Sequence, residues 1–321
     1  MSFIKVENLS KFYMEKKGVF SKSTKTFKAV NKVSFLLKKG ETLGIVGESG
    51  CGKSTLARMI LRLEGIDEGK IIFKNENIVE LKGKDLKNLR KDIQIIFQDS
   101  YSSLNPRQTV FDIIREPLIN FNVGTEKEQF IMVKDIMEKV GLGKEYMNRY
   151  PHEFSGGQCQ RINIARALIL KPEFIVCDEP TSSLDVSIQA QILNLLKELK
   201  EELELTYIFI SHNLAAVNYI SDKIAVMYLG EIVEMFEKKY LETKKHHPYT
   251  KTLLEAIPVM NPLEKNHWEN ILREKKGIKY KVNEDSCSFC IHCTNAKEIC
   301  YTKKPVIKEI EKGHLIACHC I

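Results

Sequence analysis

Nine residues, Gly47-Glu48-Ser49-Gly50-Cys51-Gly52-Lys53-Ser54-Thr55, constrain this chain more than any other stretch. They fit the pattern G-x-x-x-x-G-K-[ST], and their setting matters as much as their identity. Just before them, Thr42 to Val46 is a compact apolar run of strand type. Just after them, Ser54 to Leu63 carries Leu56, Met59, Ile60 and Leu63 at helical spacing. A glycine-rich turn between strand and helix gathers backbone N–H groups without Cβ obstruction, and the helix N-terminus adds partial positive charge. The result is a cradle for phosphate. Lys53 is placed to neutralise β and γ phosphates, and the Ser54 hydroxyl to ligate Mg²⁺.

Around this loop the first 260 residues alternate β-branched runs with amphipathic stretches, the rhythm of an α/β domain. Lys5-Val6, Ala29-Val30, Val33 to Leu37, Ile71 to Phe73 and Ile93 to Phe97 read as strands. A mostly helical stretch follows from about Val110 to Val140, and Ile162 to Leu170 is helical up to Pro172. Phe174 to Cys177 and Tyr207 to Ile210 are short apolar runs without alternation, as a central parallel sheet requires; Ile188 to Leu203 is an amphipathic helix between them. The first of these strands ends in Asp178-Glu179-Pro180. Carboxylates at the carboxyl end of a parallel strand sit where such sheets bind nucleotide. Asp178 is placed to hold Mg²⁺, and Glu179 to polarise an attacking water as general base.

A second anion site follows from Ser155-Gly156-Gly157-Gln158, a Ser-Gly-Gly turn opening a helix. One ATP does not need two such sites in one chain. A head-to-tail dimer, in which this turn caps the γ-phosphate held by the partner's loop, uses both.

With these pieces in order, the chain resembles the ATP-binding cassette (ABC) ATPases over about residues 1 to 260. That resemblance implies a P-loop NTPase fold of ABC type: a parallel-sheet core, an antiparallel β subdomain and a helical signature subdomain at about residues 100–160. It assigns ATP binding to Gly47, Glu48, Ser49, Gly50, Cys51, Gly52, Lys53, Ser54 and Thr55, with Tyr13 stacking on adenine and Phe12 as the alternative ring. It makes Gln98 a sensor of Mg²⁺ and attacking water, so that Mg²⁺ is served by Ser54, Gln98 and Asp178. Glu179, His212, Gln98 and Lys53 form the catalytic set, and Asp185, in Ser182-Ser183-Leu184-Asp185, joins the dimer seam.

Within that family, Gly40 to Thr55, Ser103-Leu104-Asn105-Pro106-Arg107 and His247-Pro248-Tyr249-Thr250 resemble the ATPase subunits of bacterial oligopeptide/dipeptide (peptide/nickel) importers. The lysine-rich insertion before Ala29 resembles the second of the two ATPases such importers usually carry. Cys159 departs from the arginine usual in that group. The resemblance implies a related ATPase as heterodimer partner, two transmembrane permeases touched by Asp99 to Pro117, and an extracytoplasmic peptide-binding protein. The alternative is a soluble ABC ATPase acting on DNA or ribosomes; one cassette without sustained heptads speaks against it. The net charge is +7, yet neither basic stretch, Lys11 to Lys28 nor Lys265 to Lys281, interleaves aromatics as nucleic-acid binders do. No run of about 18 apolar residues exists and no signal peptide opens the chain, so a cytoplasmic location is expected; the importer resemblance implies that it is peripheral, on the cytoplasmic face of the membrane.

A boundary falls near Pro258-Val259-Met260-Asn261-Pro262, leaving 261–321 as a small extension. Six of the nine cysteines fall there: Cys287, Cys290, Cys293, Cys300, Cys318 and Cys320. In a reducing compartment such crowding reads as a metal site rather than disulfides. The spacing Cys287, Cys293, Cys300, with His314 and Cys318, resembles the C-terminal extension of the peptide-importer ATPases. Those four cysteines suit a [4Fe–4S] cluster, with zinc as competitor because His292, His314 and His319 are near in sequence.

Overall fold

The computed structural model describes residues 2–16, 24–255 and 285–321. The expected boundary at 258–262 and the basic stretch at 265–281 lie outside the described residues, as do residues 17–23 of the first lysine-rich insertion. In chain order the strands are β1 (Ile4–Lys16), β2 (Thr24–Leu37), β3 (Thr42–Val46), β4 (Glu68–Phe73), β5 (Glu76–Asn77) and β6 (Ile93–Ile96). They continue with β7 (Phe174–Asp178), β8 (Thr206–Ser211), β9 (Lys223–Tyr228), β10 (Glu231–Glu237), β11 (Lys308–Glu311) and β12 (His314–Ile316). The helices are α1 (Lys53–Ile60), α2 (Gly83–Asp92), α3 (Val110–Asn120), α4 (Glu126–Lys139) and α5 (Gly156–Leu168). Then come α6 (Val186–Leu203), α7 (Leu214–Ile220), α8 (Pro248–Glu255) and α9 (Glu298–Thr302).

The main sheet has the order β11-β12-β10-β9-β3-β8-β7-β6, and the smaller one β2-β1-β4-β5. From β9 to β6 the pairings are parallel; β10, β12 and β11 add antiparallel strands at one side. β3, β7 and β8 are buried along their whole length, which is why their sequences are continuous apolar runs. Side chains of β7 still divide by parity. Phe174 and Val176 join the core shared with α1 and the antiparallel sheet, while Ile175 and Cys177 join the core under the helices. The sheet is thus covered on both faces, and the carboxyl ends of β3, β6, β7 and β8 share one edge.

Some elements differ from the sequence-based expectation. Ala29-Val30 and Val33 to Leu37 belong to one long strand, β2. α1 stops at Ile60, so Leu63 lies beyond it and is exposed, because Arg62 turns the chain at φ +55°. The helical stretch from Val110 to Val140 is two helices, broken where Asn122 and Gly124 take positive φ. α5 begins at Gly156, earlier than its first apolar residue, because Ser155 caps it.

Candidate nucleotide-binding site

The loop between β3 and α1 holds its shape through glycine and through Lys53. Gly52 sits at φ +105°, and a Cβ there would lie 2.1 Å from the Ala29 carbonyl oxygen, so a side chain is excluded. The Lys53 ammonium, nearly buried, donates to the carbonyls of Gly47 and Glu48 at 2.8 Å each. Glu48 is exposed, and Ser49 and Gly50 are exposed in a cleft that Lys53, Ser54, Thr55, Gln98, Glu179 and His212 also line. Tyr13 reaches this cleft from β1, 40% exposed; Phe12, the alternative, is half-buried, with its N–H on the Asp67 carboxylate at 2.7 Å.

Two of the three expected Mg²⁺ ligands, Ser54 and Asp178, meet across the sheet, while Gln98 reaches Glu179. The Ser54 hydroxyl donates to Asp178 Oδ1 at 3.1 Å. Burial, reinforced by the charge of Glu179, pushes the Asp178 carboxyl above its ordinary value despite the Ser54 bond and the positive charges of Arg58 and Lys53. No basic nitrogen among the described residues lies within ion-pair distance of Asp178. A buried carboxylate beside a hydroxyl, with no counter-ion of its own, is a donor set that a hard divalent cation fits.

Glu179 is the hub of the second group. Its backbone N–H is fixed to the Ile210 carbonyl at 2.9 Å, and its φ is +48°. Its carboxylate Oε2 meets His212 Nδ1 at 3.0 Å and accepts from Gln98 Nε2 at 3.5 Å. β6, β7 and β8 therefore deliver Gln98, Glu179 and His212 to one point although 114 residues separate the first from the last.

The signature turn lies elsewhere. Ser155 Oγ accepts from the Gln158 N–H at 3.4 Å, and Gln158 Oε1 from the Ser155 N–H at 3.0 Å, a reciprocal cap at the start of α5. Ser155 and Gly156 are exposed, and none of residues 155–158 lines the cleft around Lys53. Gly157 is required by packing: a Cβ there would meet Ile188 Cγ2 at 2.5 Å. Asp185 is exposed and caps α6 through the Ile188 N–H at 3.0 Å. Cys159 is fully buried, with its thiol toward the Pro151 carbonyl, so this departure from arginine is inside the packing rather than on the turn's open face.

Cys287, Cys290, Cys293 and Cys300 are buried, and Cys318 and Cys320 half-buried. Burial pushes the Cys287 thiol up to about 11, and the Cys290 and Cys293 thiols also upward, with neighbouring cysteines adding to the rise. Backbone N–H groups of Lys297 and Cys320 face Cys300 and Cys318 sulfurs at 3.4 Å. Among the described residues no three cysteine sulfurs lie within 4.8 Å of one another. A single zinc ion, with Zn–S near ~2.3 Å, would require them to draw closer. Among the described residues the trio of potential ligands within that distance is Glu234, His246 and His314; of these the sequence reading named His314 and missed Glu234 and His246.

Comparison with known proteins gives two family-model matches: ABC transporter over residues 30–182, and oligopeptide/dipeptide transporter, C-terminal region, over residues 233–300. The chain is 46% identical over 319 residues to the oligopeptide transport ATP-binding protein AppF of Bacillus subtilis, covering 99% of this chain and 97% of that one. It is 44% identical over 315 residues to the dipeptide transport ATP-binding protein DppF of Haemophilus influenzae, covering 97% and 94%. Among solved structures it resembles a dimeric ATP-binding cassette in a post-hydrolysis state bound to ADP and Pi. The TM-score there is 0.65, with 30% identity, over 73% of this chain and 98% of that one. It also resembles cbiO1 from Clostridium perfringens, part of an ABC transporter complex, with TM-score 0.65 and 28% identity, over 76% and 92%.

Proposed function

The chain belongs to the ABC transporter family, and on that premise we propose that it is the ATP-binding and hydrolysing subunit of an oligopeptide/dipeptide importer. The observation that carries the reading is the convergence of Lys53, the Ser54–Asp178 pair and the Gln98–Glu179–His212 group on one sheet edge, with the Ser155–Gln158 turn outside the cleft they line. The relatives' names give the DNA or ribosome alternative no support.

In this reading Lys53 leaves the Gly47 and Glu48 carbonyls for the phosphates, and Tyr13 stacks on adenine. Ser54, Asp178 and Gln98 would hold Mg²⁺, which would supply positive charge against the phosphates. Glu179 takes the proton of the attacking water while His212 holds its carboxylate and contacts the γ-phosphate. Ser155, Gly156, Gly157 and Gln158 cap the nucleotide of a second ATPase subunit, a related chain rather than a copy, with Asp185 on the seam. Closure of this pair moves two permeases; hydrolysis reopens it.

The permease contact is Asp99 to Pro117 beside a groove that Phe97, Asp99 and Pro117 line, with Tyr101 exposed in that stretch. No helix of the described residues is long and apolar enough to cross a membrane, which fits a subunit held at the cytoplasmic face by those permeases. An extracytoplasmic peptide-binding protein supplies the cargo. Residues 1–260 form the ATPase unit and 261–321 the extension, whose Cys287, Cys293, Cys300 and Cys318 would hold a [4Fe–4S] group. Buried thiols with N–H groups facing two sulfurs suit it. Iron and acid-labile sulfide in anaerobically prepared protein test that assignment, and zinc alone would overturn it.

The functional test is association. Sedimentation of the Glu179→Gln form, mixed with its partner ATPase, should give an ATP- and Mg²⁺-dependent dimer that disperses without nucleotide. Lys53→Ala should abolish both binding and association. A Glu179→Gln form that stays monomeric with saturating ATP and partner would overturn the sandwich.

A further inference from the structure

The phosphate loop has a support that comes from the far end of the chain. The backbone N–H of Glu48, the loop's second residue, donates to Tyr249 Oη at 2.9 Å across 201 residues of sequence. Tyr249 is 1% exposed and belongs to the His247-Pro248-Tyr249-Thr250 run. The run fixes its own geometry. Burial holds His247 down to about 4, so its ring is neutral and Nδ1 accepts from the Tyr249 N–H at 3.1 Å. The Tyr249 ring packs on Tyr228 at 4.7 Å between centroids, and Tyr228 ends β9, the parallel neighbour of β3. The third ring is Phe289, 5.4 Å from Tyr249 and 5.2 Å from Tyr228. Phe289 comes from the cysteine-rich extension, between Cys287 and Cys290.

Besides the Cys51 N–H on the Glu48 carbonyl at 3.3 Å, the polar support of the loop's first turn is the Lys53 ammonium on the Gly47 and Glu48 carbonyls. That ammonium is the group the phosphates take. The tyrosine bond uses an N–H that points into the protein instead, so it persists when nucleotide arrives. Resting on the nucleotide-site reading above, we propose that Tyr249 is a positioning residue for the phosphate loop, seated by Phe289, so that the cysteine-rich extension sets the affinity of the loop for ATP. The hydroxyl touches no substrate atom; it keeps the first turn of the loop in its phosphate-ready shape before binding.

Equilibrium binding of a fluorescent ATP analogue and the ATP dependence of hydrolysis, both on the full chain, test this. Tyr249→Phe keeps all three rings and removes only Oη, leaving the Glu48 N–H without its acceptor. Kd and KM for ATP should rise roughly tenfold while kcat stays within about twofold. Phe289→Leu touches no atom of the loop and should raise Kd about threefold, in the same direction. A Tyr249→Phe form with wild-type Kd overturns the positioning role. A Phe289→Leu form with wild-type Kd overturns the seating by the extension. If Lys53→Ala also binds with wild-type affinity in this assay, the nucleotide-site reading itself fails rather than the role of Tyr249. A fall in kcat with unchanged KM in Tyr249→Phe would likewise overturn a role in ground-state binding.

Discussion

Glu179 occupies φ +48°, a left-handed conformation that costs a residue with a side chain about 1 kcal/mol or more. The fold holds it there by tying its N–H to Ile210 and by placing Pro180 directly after it. The return on this strain is orientation: the carboxylate turns to meet His212 and Gln98 instead of continuing the line of β7. Two predictions separate strain from chemistry. Glu179→Gln keeps backbone and shape, so nucleotide binding should persist while turnover drops about a thousandfold, the weight of a positioned base. Glu179→Gly removes the strain and also the charge that helps push Asp178 upward. Its melting temperature should equal or exceed that of the wild type although it is inactive. A clear loss of stability in the glycine form would show that the conformation is not strained.

At the scale of elements, what sequence reveals depends on whether local pattern or distant pairing supplies the stability. β3, β7 and β8 were legible because burial on both faces leaves no room for polar residues, and their carboxyl ends located Lys53, Asp178 and Glu179 with them. α2 was not, since its apolar face is only Leu86 and Leu89, both half-buried, in an otherwise polar and charged stretch. β11 and β12 were not, because they are four and three residues long and owe their pairing to β10, some 80 residues earlier. β10 itself hides behind a bulge near Glu234 and an acid buried in mid-strand. α5 falls between these cases: two glycines argue against a helix, and the Ser155–Gln158 reciprocal cap starts one anyway. Ser155→Ala should therefore cost about 1 kcal/mol in chemical denaturation. In the Glu179→Gln background it should also weaken ATP-driven association with the partner. Loss of stability with full association would confine Ser155 to capping.

For the whole molecule the question is what joins the extension to the ATPase core, and a proton count answers it. Glu234, His246 and His314 are all essentially buried, and Glu234 Oε1 meets His246 Nδ1 at 2.6 Å and His314 Nε2 at 2.7 Å. His246 Nε2 lies 3.1 Å from the Leu241 carbonyl, which can only accept, so that nitrogen carries a proton. Its Nδ1 needs another to meet a carboxylate, which makes His246 the imidazolium. His314 Nε2 shares the same carboxylate oxygen. Burial pushes His246 down, but the bond and charge of Glu234 outweigh it, and the charge of Lys251 opposes them only weakly, so its pKa is raised from 6.5. Burial pushes Glu234 up, yet its bonds to the two histidines hold it below its ordinary 4.5. The histidine contribution is therefore complete below pH 6.5 and lost as pH rises through the raised value. The glutamate contribution is complete above pH 4.5 and lost as pH falls through the lowered one. Between those limits β12, β10 and the loop before α8 are clamped by a buried ion pair, whose breakage costs about 3–5 kcal/mol. Stability should decline as pH rises above 6.5, and hydrogen exchange should quicken first in β12. His246→Gln should be less stable throughout that range and should flatten the slope, because the titrating group is gone. If the alkaline decline survives in His246→Gln with its slope unchanged, some other group is responsible and His246 is not the charged member of the clamp.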